Sequence, residues 1–164
     1  MNPSLPVKSA SGVSMLCETN IGPLENARKQ VWSKLIDFPT WPDAIPNLQS
    51  LAVSVDLNLG RGTQIEFDWK TSRQQAVISH WHPNQQLDIV IFDKRRQIGL
   101  RFDLIDGKTN GCIQLLVTCE VARYERLLGP ADHLIRRYIK NSLRSCFQSL
   151  LTGIRIQIQS NCCP

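Results

Sequence analysis

Two imidazoles one residue apart, His80-Trp81-His82, are the first place in this chain where side-chain type and spacing suggest chemistry. On a strand, period two puts both rings on one face with Ala76 and Ile78. Were that face inward, His80 would serve as a general base or orient a ligand carbonyl, because imidazole titrates near working pH. The pair also reads as a strand-end surface feature, since Pro83 follows at once and sets His82 at a turn. A metal would need a third ligand that spacing does not supply, so no metal is expected. Tyr138 is the second candidate, because a buried phenol must be satisfied and a ligand carbonyl or hydroxyl would do so. Cys17, Cys112, Cys119 and Cys146 match no zinc spacing and read as small apolar filler in a reducing compartment. Cys162-Cys163 read as a frayed end and form no prenylation box. The sequence has no glycine-framed serine elbow, HExxH, Walker loop or GxGxxG, which sets aside the enzyme classes built on them.

The elements that would position these groups follow from the change of period along the chain. Val13, Met15, Cys17 and Thr19 alternate as a strand, and Asn20-Ile21-Gly22-Pro23 breaks it. Leu24, Ala27, Val31 and Leu35 then recur at helical spacing, predicting a helix over 23–36. Three prolines limit the next segment to one short helical piece between Pro39 and Pro46. From Leu48 the period becomes two, with turn chemistry recurring as in an antiparallel meander. Six strands are expected over 48–57, 63–70, 74–82, 86–93, 97–105 and 110–122, with Asp106-Gly107 as the firmest turn. One face carries Ile65, Phe67, Trp69, Leu87, Ile89, Ile91, Ile98, Leu100, Phe102, Leu104, Leu115 and Val117. The other carries Gln64, Glu66, Asp68, Asp88, Arg101, Asp103, Gln114 and Glu120, and should be wet. After Pro130 a helix of some 25 residues (about 37 Å) is expected, with an apolar stripe from Leu134 to Ile154. Only the concave side of a curved sheet can cover such a stripe in a chain this short.

At 164 residues, with 42% apolar and 20% charged residues, the chain predicts one α+β domain over 12–156, with flexible ends at 1–11 and 157–164. No stretch reaches the length of a spanning helix and the start has no apolar leader, which leads to the expectation of a cytoplasmic protein. The net charge of +5 is basic without being extreme, and no specific nucleic-acid binding is expected. Arg136, Arg137, Lys140 and Arg144, with the Lys94-Arg95-Arg96 turn, read as a solvated helix face, or as a basic rim for weak contact with anionic membrane or RNA.

Several segments also carry a family resemblance. Ala27-Arg28-Lys29-Gln30-Val31-Trp32, Asp37-Phe38-Pro39-Thr40-Trp41-Pro42, the Gly60-Arg61-Gly62-Thr63 hairpin and the C-terminal amphipathic helix are similar to the polyketide cyclase/dehydrase branch of the SRPBCC (START-like) superfamily, over about 12–155. The resemblance implies the helix-grip fold shared with START lipid-transfer domains and birch-pollen allergens: a seven-stranded curved antiparallel sheet around a long C-terminal helix, with two short helices after the first strand. It transfers no catalytic set.

A bent sheet around one helix cannot bring its inner side chains into full contact, so a ligand cavity is expected. Its wall would comprise Phe67, Trp69, Ile78, Ile89, Ile91, Leu100, Phe102, Leu115 and Val117 from the strands and Tyr138, Ser142 and Phe147 from the helix, with Trp41 and Ile45 as the lip. Two functions fit: a carrier of a small or medium hydrophobic molecule (lipid, quinone or polyketide-like) without cofactor, or a cyclase/dehydrase-like enzyme using acid–base groups such as His80 and Tyr138.

Overall fold

The computed structural model describes residues 13–23, 26–54, 58–93, 96–123 and 132–160. Strand β1 (Val13–Ile21) leads to helix α1 (Ala27–Leu35), a 3-10 turn (Phe38–Thr40) and the single turn α2 (Trp41–Ala44). The meander follows as β2 (Leu48–Val53), β3 (Gln64–Trp69), β4 (Ser72–His82), β5 (Gln86–Asp93), β6 (Arg96–Asp106) and β7 (Ile113–Arg123), and helix α3 (Asp132–Ser160) ends it. All seven strands form one antiparallel sheet in the order β1-β7-β6-β5-β4-β3-β2. The sheet curls around α3, giving the helix-grip architecture.

Register builds the core. Leu87 pairs with Phe102, Phe102 with Val117 and Leu104 with Leu115, while Val117 and Cys119 pair with Cys17 and Met15 of β1. All of these are buried, and Cys146, Phe147, Leu150, Leu151, Ile154 and Ile158 of α3 close on the same cluster. Their three-four spacing is what lets one helix present a continuous apolar face to the sheet. Gly153 has a packing reason to lie inside this helix: a Cβ there would sit 3.0 Å from that of Ala44, so the bare backbone lets α2 approach. The Arg28 guanidinium on α1 ties together the ends of two hairpins. It donates to the carbonyls of Asn84 (3.1 Å) and Leu104 (2.6 Å) and pairs with Asp106 at 2.5 Å.

Several expected boundaries move, each for a local reason. Helix α1 begins at Ala27 rather than Pro23, because Asn26 is left-handed (φ 55°). Strand β2 stops at Val53, and β7 starts at Ile113 after a loop over 107–112, closed by the Gly107 amide on the Cys112 carbonyl, instead of a tight Asp-Gly turn. Helix α3 runs to Ser160 because Ile158, buried, prolongs the stripe past Ile154. On the convex face Asp88 is not wet but 2% exposed. Arg101 grips its carboxylate through two nitrogens at 3.1 and 3.2 Å, and Gln86 donates to it at 2.9 Å. A charge so covered persists because its hydrogen bonds replace water.

Phe102→Ala is expected to cost ~3–5 kcal/mol, as for other buried Phe truncations, whereas Phe67→Ala, at a half-buried ring, should cost well under half of that. Urea denaturation with an unchanged slope checks both.

Candidate functional site

The inner face of the sheet is not covered uniformly. Helix α3 packs against β1, where the Cys17 thiol reaches the Arg144 carbonyl at 3.9 Å, α1 lies against β7, and the inner residues of β1, β7 and the adjoining half of β6 are buried. Toward β3 and β2 the sheet diverges from the helix, and Leu51, Phe67, Trp69, Ile91 and Ile98 are only partly covered. Between them and α3 lies a cavity of about 280 Å³, near the lower end of what small-molecule sites occupy.

Its walls follow from the elements. Strands β2, β3 and β4 contribute Leu48, Leu51, Ile65, Phe67, Trp69, Gln74 and Ala76; β5 and β6 contribute Ile89, Ile91, Ile98 and Leu100. The proline-rich segment supplies Phe38, Trp41 and Ile45, and α3 supplies Tyr138, Ser142, Leu143, Cys146 and Phe147. Aromatic rings close the floor. Phe38 and Trp41 have centroids 5.2 Å apart, and Phe102 lies behind them, 5.6 Å from Trp41 and 6.4 Å from Phe147. The Trp41 indole N–H donates to the Leu35 carbonyl at 3.1 Å, which satisfies its polar edge inside the protein and fixes the ring.

Trp41, Ile45, Phe67, Trp69, Ile89, Ile91, Leu100, Tyr138, Ser142 and Phe147 line the cavity. Ile78, Phe102, Leu115 and Val117 do not: each is fully buried in the closed core on the other side of the ring floor. Alternation places all of these on the inner face but does not say which part of that face the helix seals. Of the lining residues outside the expected set, Ile65 and Ile98 carried the alternation signal and Leu143 and Cys146 the helical stripe. Lys70 and Gln74, at the β3–β4 hairpin, carried no apolar signal at all.

The polar groups are few. Tyr138 is 68% exposed and stands at the mouth, not in the interior, so its hydroxyl needs no buried partner. Ser142 is half-buried one turn further along. Lys70 is the one charged residue among the described lining residues. Arg137, Lys140 and Arg144 are exposed on α3 and none of them lines the cavity; the side chain of Arg136 and residues 94 and 95 lie outside the described residues.

His80 is not in the cavity. A bulge between Ile78 and His80 buries both Ile78 and Ser79 and turns the next imidazole outward. His80 and His82 consequently stack on the exposed convex face, centroids 5.2 Å apart, while Trp81 turns in and packs edge-on against Trp32. Among the described residues no cluster of three or more His, Cys, Asp or Glu side chains could hold a metal ion. Burial pushes the Cys119 thiol up to about 12, with Cys17 and Glu120 adding to the effect. The Cys17 thiol is also raised by burial, against the opposing pull of Arg144. Burial likewise raises Cys146, in the cavity wall, against its backbone hydrogen bond and the nearby Lys70 charge, which favour the thiolate.

No helix among the described residues is long and apolar enough to cross a membrane. Neither protein-family models nor curated sequences match the chain. Solved structures do. It is similar to Ara h 8.0201 (16% identity, TM-score 0.62, covering 88% of this chain and 98% of that one). It is similar to a START superfamily protein from Mycobacterium smegmatis (16%, TM-score 0.59, covering 90% and 98%). It is also similar to the Zhui aromatase/cyclase from Streptomyces sp. R1128 (11%, TM-score 0.66, covering 90% and 96%). These likenesses bear out the START-like, helix-grip resemblance at the level of the fold.

Only thiolates alkylate at a useful rate. In the folded protein near neutral pH, Cys112, on its half-buried loop, should therefore react with iodoacetamide well ahead of Cys119. Peptide mass spectrometry over time reads the order, and equal rates would contradict the burial of Cys119.

Proposed function

We propose that this chain is a binding or carrier protein that takes up a small or medium hydrophobic molecule, of lipid, quinone or polyketide type, in the cavity between α3 and strands β2–β6. The single observation carrying this reading is the lining. Apart from Lys70, Gln74, Tyr138, Ser142 and Cys146, every described lining residue is aliphatic or aromatic. An apolar guest gains from leaving water for such a wall by about 25 cal/mol per Å² of its buried surface, and the indole and phenyl faces of Trp69 and Phe67 offer flat contact to rings or chains. The floor is the ring set of Phe38, Trp41 and Phe147, where an acid–base pair would have to reach a reacting atom in an enzyme.

The likeness to an aromatase/cyclase favours the second reading, polyketide-cyclase-like catalysis. It is the weaker one, because His80 stands on the convex face and Tyr138 at the mouth, so neither is poised over a guest lying on the floor. A catalytic version would have to work through Ser142, Cys146 or Lys70.

Two measurements test the proposal. Organic extraction of the denatured, purified protein followed by mass spectrometry should release a quinone or acyl lipid; an aromatic polyketide would favour cyclisation. Ser142→Trp, which places an indole in the cavity from a half-buried helix position, should weaken binding of the apolar fluorophore N-phenyl-1-naphthylamine at least about tenfold while leaving the circular dichroism spectrum unchanged. A fluorophore that binds the variant as well as the parent chain would rule this cavity out.

A further inference from the structure

The charge at the cavity follows a pattern that apolarity alone does not require. Lys70 occupies the β3–β4 turn in a left-handed conformation (φ 55°), and its amide donates to the Asn47 carbonyl at 2.8 Å, which anchors the turn to the segment before β2. Its side chain lines the cavity and forms no ion pair with any described residue. No carboxylate lines the cavity among the described residues. Next along the hairpin, Gln74 turns inward on the same face as Ala76, bringing an amide to the wall. From the helix side Tyr138 and Ser142 bring hydroxyls. The site thus presents one cation, one amide and two hydroxyls, all able to donate hydrogen bonds, around an apolar interior.

We propose that the ligand is an amphipathic monocarboxylate whose apolar part fills the cavity and whose carboxylate is held at the mouth by Lys70, with Gln74, Tyr138 and Ser142 as neutral donors within the same lining. This rests on the hydrophobic-binding reading and narrows it. A carboxylate suits the donor set better than a phosphate. One ammonium and neutral donors balance a single negative charge, whereas a phosphate near neutral pH carries more charge and is usually gripped by the forked guanidinium of arginine. An alkylammonium is disfavoured because it would meet Lys70 as a like charge. The ammonium is exposed, so its pull is that of a surface ion pair, which amounts to about fivefold in affinity. That sets a measurable preference without making Lys70 necessary for uptake.

The experiment displaces N-phenyl-1-naphthylamine from the full chain with four ligands of one chain length, decanoate, decanol, decylamine and decyl phosphate, at about pH 8, where the acid is ionised and the amine protonated. Decanoate should displace at about fivefold lower concentration than decanol, and decylamine should need more than decanol. Lys70→Met should abolish the carboxylate preference, read as the ratio of decanoate to decanol displacement within the variant itself, and Lys70→Arg should keep that ratio. Equal displacement by decanoate and decanol, or a preference that survives in Lys70→Met, overturns the role of Lys70 and leaves the apolar-binding reading standing. Decyl phosphate binding more tightly than decanoate overturns the assignment of the head group. If neither the fluorophore nor decanol binds, the cavity reading itself fails and this inference with it.

Discussion

One helix cannot cover seven strands. A helix with its side chains is about 10–12 Å across, while seven strands about 4.8 Å apart present a sheet roughly 29 Å wide. Curling the sheet shortens the gap without closing it, and the chain resolves the mismatch asymmetrically. Helix α3 packs tightly against β1 and α1 lies against β7, and Met15, Cys17, Leu115, Val117 and Cys119 on these two strands are buried. The opposite flank, β2 and β3, is left with half-covered apolar side chains. The wall between sealed core and cavity is aromatic because only large rings bridge the distance from strand β6 through Phe102 to Trp41 and Phe147. The segment Phe38-Pro39-Thr40-Trp41 is accordingly a structural partition, and Trp41 and Ile45, both buried, belong to the cavity wall and not to the lip expected from the sequence.

The same constraint decides how much was legible in the sequence. Alternation is a local property of an extended chain, so the inward assignment of Leu87, Ile89, Leu100, Phe102, Leu115 and Val117 could be read directly. Whether an inward side chain ends in core or cavity depends on its distance from α3 across the sheet, which no local pattern encodes. Phe67 and Phe102 have the same sequence signature and opposite fates: the first is half-exposed in the cavity, the second fully buried behind its floor. The bulge at Ile78/His80 is equally illegible, since one extra residue in the ladder leaves composition unchanged yet turns the imidazole from the inner face to the outer one. Lys70 was missed because a turn residue has no period to betray where it points.

Polar groups are segregated with similar economy. On the convex face Asp88 is buried only because Arg101 and Gln86 saturate its carboxylate, and Asp103 nearby is pushed above the usual carboxylate range chiefly by its own burial, against the favourable Arg101 charge. On the concave face the cation stays at the opening, with its ammonium exposed, and the interior is left to side chains that ask nothing of water. Moving a charge inward would impose a desolvation cost that no described carboxylate in the cavity could offset.

The opening itself is what makes such an interior tolerable. At about 24 cal/mol per Å³, a sealed void of 280 Å³ would cost ~7 kcal/mol, comparable with the whole 5–15 kcal/mol margin typical of a domain, roughly speaking. An open mouth lets water enter and removes part of that cost, but water against Trp69, Phe67, Ile89 and Leu100 is itself unfavourable. The empty protein therefore carries an unsatisfied apolar surface with a defined shape, and a molecule that displaces the water stabilises the fold through the same contacts that bind it. The incomplete grip of α3 on its sheet is thus both the weakness of the fold and the physical source of the space that the proposed guest would fill.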